Sequence, residues 1–106
     1  MIDSNKISDV VAKIATLFNP DKIILIGSYA NGTPNEDSDL DLLIVQNSDI
    51  PMQKRGLEIR LSLIGSMIPI DILIYTNTEF EKEQNINSSF LHSAIKNSKI
   101  VYERIK

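Results

Sequence analysis

Residues 26–45 read Ile-Gly-Ser-Tyr-Ala-Asn-Gly-Thr-Pro-Asn-Glu-Asp-Ser-Asp-Leu-Asp-Leu-Leu-Ile-Val. The isoleucine-rich run from Lys22 to Ile26 reads as a buried strand that stops at Gly27. Ser28 to Asn31 fits a short helix, and Gly32 to Ser38 has the composition of a loop. Asp39 to Val45 then reads as a second strand. Alternate strand residues share a face, so Asp39 and Asp41 project together, ~7 Å apart along the strand. Leu40, Leu42 and Ile44 point the other way, into a core. Two like charges on a half-buried strand repel and lose hydration, so stability gives no reason for them. A hard divalent cation does: Mg²⁺ takes a few carboxylate oxygens and leaves its other positions to water and phosphate.

Downstream, Asp71 is the one charge inside Ile68-Pro69-Ile70-Asp71-Ile72-Leu73-Ile74, which reads as a third strand reaching Tyr75. If the second and third strands pair, three carboxylates converge, which is the composition of a metal-assisted phosphoryl-transfer site. Gly27 lets backbone approach a ligand closely, and Ser28 adds a hydroxyl donor beside a helix start.

The rest of the chain builds a scaffold. Asp3 or Ser4 can cap a helix from about Lys6 to Phe18, ended by Asn19-Pro20. Pro51 suits the first turn of a helix running to about Ser66, whose dense apolar residues Leu57, Ile59, Leu61, Leu63 and Ile64 predict deep packing. A short polar helix follows over about 78–84. Ser88 or Ser89 caps a last helix through about Asn97, and Ile100 to Tyr102 adds an edge strand. Helices and strands alternate, so the fold class is α/β (α+β), a small mixed sheet of three to four strands with helices packed on it.

A chain of 106 residues supports one domain, taken as residues 1–106. There is no cysteine, which removes disulfides, thiolate metal sites and cysteine nucleophiles. No apolar run reaches the ~18 residues of a membrane span. Met1 to Lys6 has no basic start followed by an apolar stretch, so the cytoplasm is the expected compartment. No Lys or Arg occurs between Lys22 and Lys54, an interval that holds Glu36, Asp37, Asp39, Asp41 and Asp49. A surface for naked nucleic acid needs the opposite sign. A polyanionic ligand there requires a cation to neutralise the site.

Gly27-Ser28, ten residues, then Asp39-Leu40-Asp41 resembles the motif of the DNA polymerase β-like nucleotidyltransferase superfamily. The whole segment from Ile26 to Val45 is similar to its minimal branch, the MNT proteins. The likeness continues in order through the segment from Pro51 and the strand with Asp71. It implies the polymerase β-like fold and a Mg²⁺-dependent transfer of NMP, AMP from ATP, with release of pyrophosphate. Residue by residue, it implies that Gly27 and Ser28 hold the triphosphate, that Asp39 and Asp41 bind one or two Mg²⁺ ions, and that Asp71 completes the metal site and activates the acceptor hydroxyl. Ser38 is grouped with the nucleotide-binding residues; its alternative is to orient Asp39 or end the loop. Asn31 departs from the family, in which many members carry arginine or lysine at this position.

MNT proteins commonly pair as antitoxins with HEPN-domain ribonucleases, and the resemblance implies AMP transfer to a tyrosine of such a toxin. The competing expectation is an antitoxin that masks its HEPN partner by contact alone. Small-molecule nucleotidylation of the aminoglycoside type fits less well, because no added acceptor domain is visible. Lys54, Arg55 and Arg60 read as a solvated helix face, with a phosphate or an acidic partner as the alternative, His92 as structural or exposed, and Tyr29 and Tyr102 carry no distinguishable role.

Overall fold

Asp3 starts the first helix: its carboxylate accepts the Asn5 N–H at 2.6 Å. Helix α1 (Ser4–Phe18) buries Val10, Val11 and Ile14, and ends at Asn19, which adopts the left-handed conformation and donates its N–H to Ala15 O. The computed structural model describes residues 1–105. After α1 come β1 (Lys22–Ile26), α2 (Ser28–Asn31), β2 (Leu40–Val45), α3 (Leu57–Ser62), β3 (Ile70–Tyr75), α4 (Asn77–Glu83), α5 (Phe90–Ala94) and β4 (Lys99–Glu103). No helix among the described residues is long and apolar enough to cross a membrane.

The strands form one mixed sheet in the order β3-β2-β1-β4. β1 runs antiparallel to β2 and β4, whereas β2 and β3 are parallel. A parallel pair needs a crossover, and α3 lies within it. The expected α/β class with a small mixed sheet is the one observed.

Each sheet face has its own apolar layer. On one, Ile23, Leu25, Leu40, Leu42, Ile44, Ile72 and Ile74 pack with α1 and with Ile59 and Leu63 of the α3 region. On the other, Ile24, Ile26, Leu43, Val45 and Tyr75 pack with Leu91 of α5, flanked by Phe80 and Ala94. Asp41 and Asp71 alternate with the first set, so they stand on the second face, in line with Leu43, Val45 and Tyr75.

The crossover departs from the sequence reading. The expected continuous helix from Pro51 to about Ser66 is a 3-10 turn at Met52–Lys54 followed by the six residues of α3. Gly56 breaks it, at φ 88°. Deep packing is also corrected: Ile59 and Leu63 are buried, but Leu57, Leu61 and Ile64 are 63%, 54% and 75% exposed. β3 begins at Ile70 rather than Ile68, because Pro69 has no N–H to give a ladder. The last helix ends at Ala94, three residues before the expected Asn97.

Candidate active site

The site begins where β1 stops. Gly27 has φ 76°, a conformation that residues with a side chain rarely adopt. A Cβ placed there would collide with a carboxylate oxygen of Asp41. The glycine therefore does two things at once: it turns the chain from β1 into α2, and it leaves room for Asp41.

Asp41 sits opposite Ile26 in the β1–β2 register and opposite Asp71 in the β2–β3 register. The sheet thus brings two carboxylates side by side. Asp41 is half-buried and Asp71 exposed. Burial, followed by the charges of Asp71 and then Asp39, pushes the Asp41 carboxyl above the usual range. Among the described residues none of these three acids takes part in an ion pair.

A cleft of about 610 Å³ opens over this pair. Gly27, Asn31, Asp41 and Asp71 line one side, and Phe90, Ser93, Ala94 and Asn97 the other. Phe90 is 60% exposed, an apolar surface at the rim of a polar site.

The other expected site residues lie at the margin. Asp39 is exposed, immediately precedes β2 and does not line the cleft. Ser28 is the first residue of α2, whose cap is Gly27, and it too lies outside the cleft lining. The Ser38 hydroxyl accepts the Asn35 N–H at 2.9 Å and so tightens the 35–38 turn. Among the described residues no three His, Cys, Asp or Glu side chains are grouped to hold a metal ion. What the chain offers is the Asp41–Asp71 pair, with Asp39 two residues before Asp41, just ahead of β2. Two carboxylates with no protein cation between them suit a hard divalent ion that completes its shell with water and phosphate.

Arg55 departs from the solvated-face reading and meets an acidic partner, the alternative, whereas Arg60 is exposed. Arg55 is only 8% exposed. Its Nε donates to Ile50 O at 2.6 Å, Nη1 to Ile74 O at 3.2 Å, and both Nη atoms to the Glu79 carboxylate at 2.5 and 3.1 Å. Arg55, chiefly through these hydrogen bonds, holds the Glu79 carboxyl down at about 2. Arg60 lines the cleft, with Nη2 donating to Ile72 O at 2.7 Å and Nη1 to Arg55 O at 2.9 Å. Glu79 was not singled out from the sequence, although the Thr76-x-x-Glu79 spacing is a capping-box signature, and both of its hydrogen bonds form. For the arginines the sequence offers a phosphate or an acidic partner only as an alternative, because the carbonyls they reach depend on β3 having an open edge. Three minor residues also find partners. His92 Nδ1 lies 2.9 Å from Gln84 O, Tyr29 Oη accepts the Ile2 N–H at 2.8 Å, and Tyr102 Oη donates to Asn19 Oδ1 at 2.7 Å.

The family model described as a nucleotidyltransferase domain matches residues 6–102. The chain belongs to the nucleotidyltransferase domain family. Two solved structures share the fold of this nucleotidyltransferase domain. One is described as a candidate nucleotidyltransferase from Sulfolobus solfataricus; it is 17% identical, with 94% of this chain and 79% of that one covered, at a TM-score of 0.56. The other is described as a toxin–antitoxin with AMP-PNP; it is 17% identical, with 97% and 75% covered, at a TM-score of 0.57. No curated protein matches the chain significantly in sequence. Nucleotidyltransferases of this family generally use a nucleoside triphosphate and a divalent metal.

Proposed function

We propose that this domain is a Mg²⁺-dependent nucleotidyltransferase that moves AMP from ATP to a tyrosine hydroxyl of a HEPN-type toxin and so acts as its antitoxin. The observation that carries the reading is the in-register Asp41–Asp71 pair beside Gly27, at the mouth of the cleft. Likeness to a structure described as a toxin–antitoxin with AMP-PNP is consistent with the partner and the nucleotide.

In this reading the acceptor oxygen bonds to the α-phosphorus and the bond to pyrophosphate breaks. The hydroxyl proton leaves toward Asp71, the more exposed carboxylate of the pair. Asp39 and Asp41 are the metal-holding acids, and a bound divalent ion supplies neutralising charge for the triphosphate and the departing pyrophosphate. Gly27 and Ser28 hold the phosphates, with Ser38 supporting the loop that precedes Asp39. ATP binding therefore requires metal, because at pH 7 the triphosphate meets two or three carboxylates.

One specific observation favours a second reading, a non-catalytic antitoxin that masks its toxin by contact. Leu57, Leu61 and Ile64 form an exposed apolar stripe on and just beyond α3. The experiment that separates the two uses the Asp39→Asn, Asp41→Asn double variant, co-expressed with the toxin. Under the transfer reading, labelled AMP appears on the toxin with the wild-type chain only, and the folded variant binds the toxin without protecting cells. Protection by the folded variant equal to wild type would overturn catalysis in favour of masking.

A further inference from the structure

The cleft that takes a triphosphate in the reading above is lined by two carboxylates and one cation, Arg60. No Lys or Arg occurs between Lys22 and Lys54, so β1, α2 and β2 bring no basic residue beyond Lys22 to the site. Asn31, the α2 residue facing the cleft, is neutral. Among the residues that line the cleft, Arg60 of the crossover is the one that carries positive charge.

The hydrogen bonds of Arg60 leave it equipped for this. A guanidinium has five N–H donors in a planar fork. Arg60 places two of them, one on Arg55 O and one on Ile72 O, both neutral main-chain acceptors. Three remain, and no carboxylate is paired with it among the described residues. Arg55 is the internal control: the same side chain on the same strand edge makes four hydrogen bonds, is buried, and has its charge met by Glu79. Arg60 is exposed and lacks such a counter-charge.

Its position is also built. Ile72, the residue that receives Nη2, follows Asp71 directly. A Cβ at Gly56 would stand 3.1 Å from Arg60 Nη1 and 3.1 Å from Ile74 Cδ1, so the glycine clears the path of the guanidinium.

We infer that Arg60 is a phosphate-binding residue of this nucleotidyltransferase site, held against the β3 edge by two carbonyls while its remaining donors engage the β- and γ-phosphates of the nucleotide. The inference rests on the nucleotidyltransferase reading. It extends that reading by naming a residue outside the Gly-Ser…Asp-x-Asp motif. The fork geometry suits non-bridging phosphate oxygens, and pyrophosphate is the group on which charge accumulates as AMP departs.

The test is calorimetric titration of the full chain, wild type and Arg60→Gln, with Mg-ATP and with Mg-AMP. Loss of one charge-assisted contact weakens Mg-ATP on the order of tenfold, with AMP changed less than about twofold. A role limited to latching the strand edge would instead lower the melting temperature and affect both nucleotides equally. Equal loss for both, or wild-type affinity for Mg-ATP, would overturn the inference while leaving the nucleotidyltransferase reading intact. Failure of the wild-type chain to bind Mg-ATP would overturn both. If Arg60→Gln does not fold, Arg60→Lys carries the test. It keeps the charge and loses the fork, so Mg-ATP still weakens selectively, and a parallel loss of AMP overturns the inference.

Discussion

The two ends of the β2–β3 ladder use acids to opposite effect. Near the Val45–Tyr75 pair, Glu79 faces Arg55, and the acid is held in its charged form to about pH 2. At the Asp41–Asp71 pair, two acids face each other and burial raises the first. Helices α4 and α5 cover Leu43, Val45 and Tyr75 at the first end and leave a cleft of about 610 Å³ at the second. One end is satisfied by the chain itself. The other sets like charges side by side with no protein counter-charge, the arrangement that the proposed metal and nucleotide would complete.

The sharpest way to break this contrast is Asp41→Asn. Transfer of labelled AMP should fall by roughly 10³-fold, the scale of losing one electrostatic anchor of a transition state. The metal-free variant should melt higher than wild type, since asparagine keeps the size and removes the repulsion and the cost of burying a charge. Retained activity or a lower melting temperature would place Asp41 with the structural acids.

At the other end, Arg55→Ala should destabilise the domain by about 2–3 kcal/mol in urea titration, because Glu79 and the Ile50 and Ile74 carbonyls lose their donors together. Its folded fraction should bind Mg-ATP within about twofold of wild type, as a stability element would. A selective loss of nucleotide affinity would show that the two ends are coupled.

Gly27→Ala lies between these cases. Gly27, at φ 76° and ψ −157°, lies in a region open essentially to glycine, which costs alanine about 1–3 kcal/mol. The new Cβ also displaces the Asp41 carboxylate. Activity should therefore fall by far more than the melting temperature, on the order of 10²-fold for a misplaced anchor. Equal and modest losses would mean that Asp41 swings aside without consequence.

Where the sequence was readable, it was readable for local reasons. Asp3, Asn19-Pro20 and the apolar run of β1 each carry their own boundary, and the alternation at Leu40, Asp41 and Leu42 is a strand signature that assigns faces by itself. The crossover was not readable in that way. Leu57, Leu61 and Ile64 have the composition of a buried helix and lie exposed, because Gly56 shortens α3 and only Ile59 and Leu63 reach the sheet. Periodicity reports which residues share a helix face but not whether anything covers it. The burial of Arg55 and the main-chain partners of both Arg55 and Arg60 were out of reach for a related reason. Their acceptors, Ile74 O and Ile72 O, are free only because β3 is an edge strand, a fact of strand order and not of any window of residues.

The smallest effect is also the most direct comparison of the two ends, and it is read by pH. For Glu79 the folded value lies below the usual 4.5, at about 2, so between these values the unfolded chain binds more protons. Its contribution is present above pH 4.5 and is lost as pH falls toward 2. For Asp41 the folded value lies above 3.8, so the folded chain binds more protons and stability declines as pH rises through that window. The melting temperature of Glu79→Gln should thus match wild type near pH 2 and fall below it above pH 4.5. The metal-free Asp41→Asn variant should match wild type in acid and rise above it toward neutrality. Millimolar Mg²⁺ should erase that second gap at pH 7 by giving the wild-type carboxylates their counter-charge, and should leave the Glu79 gap unchanged. A gap at Asp41 that survives saturating Mg²⁺ would mean that the cation does not reach the pair.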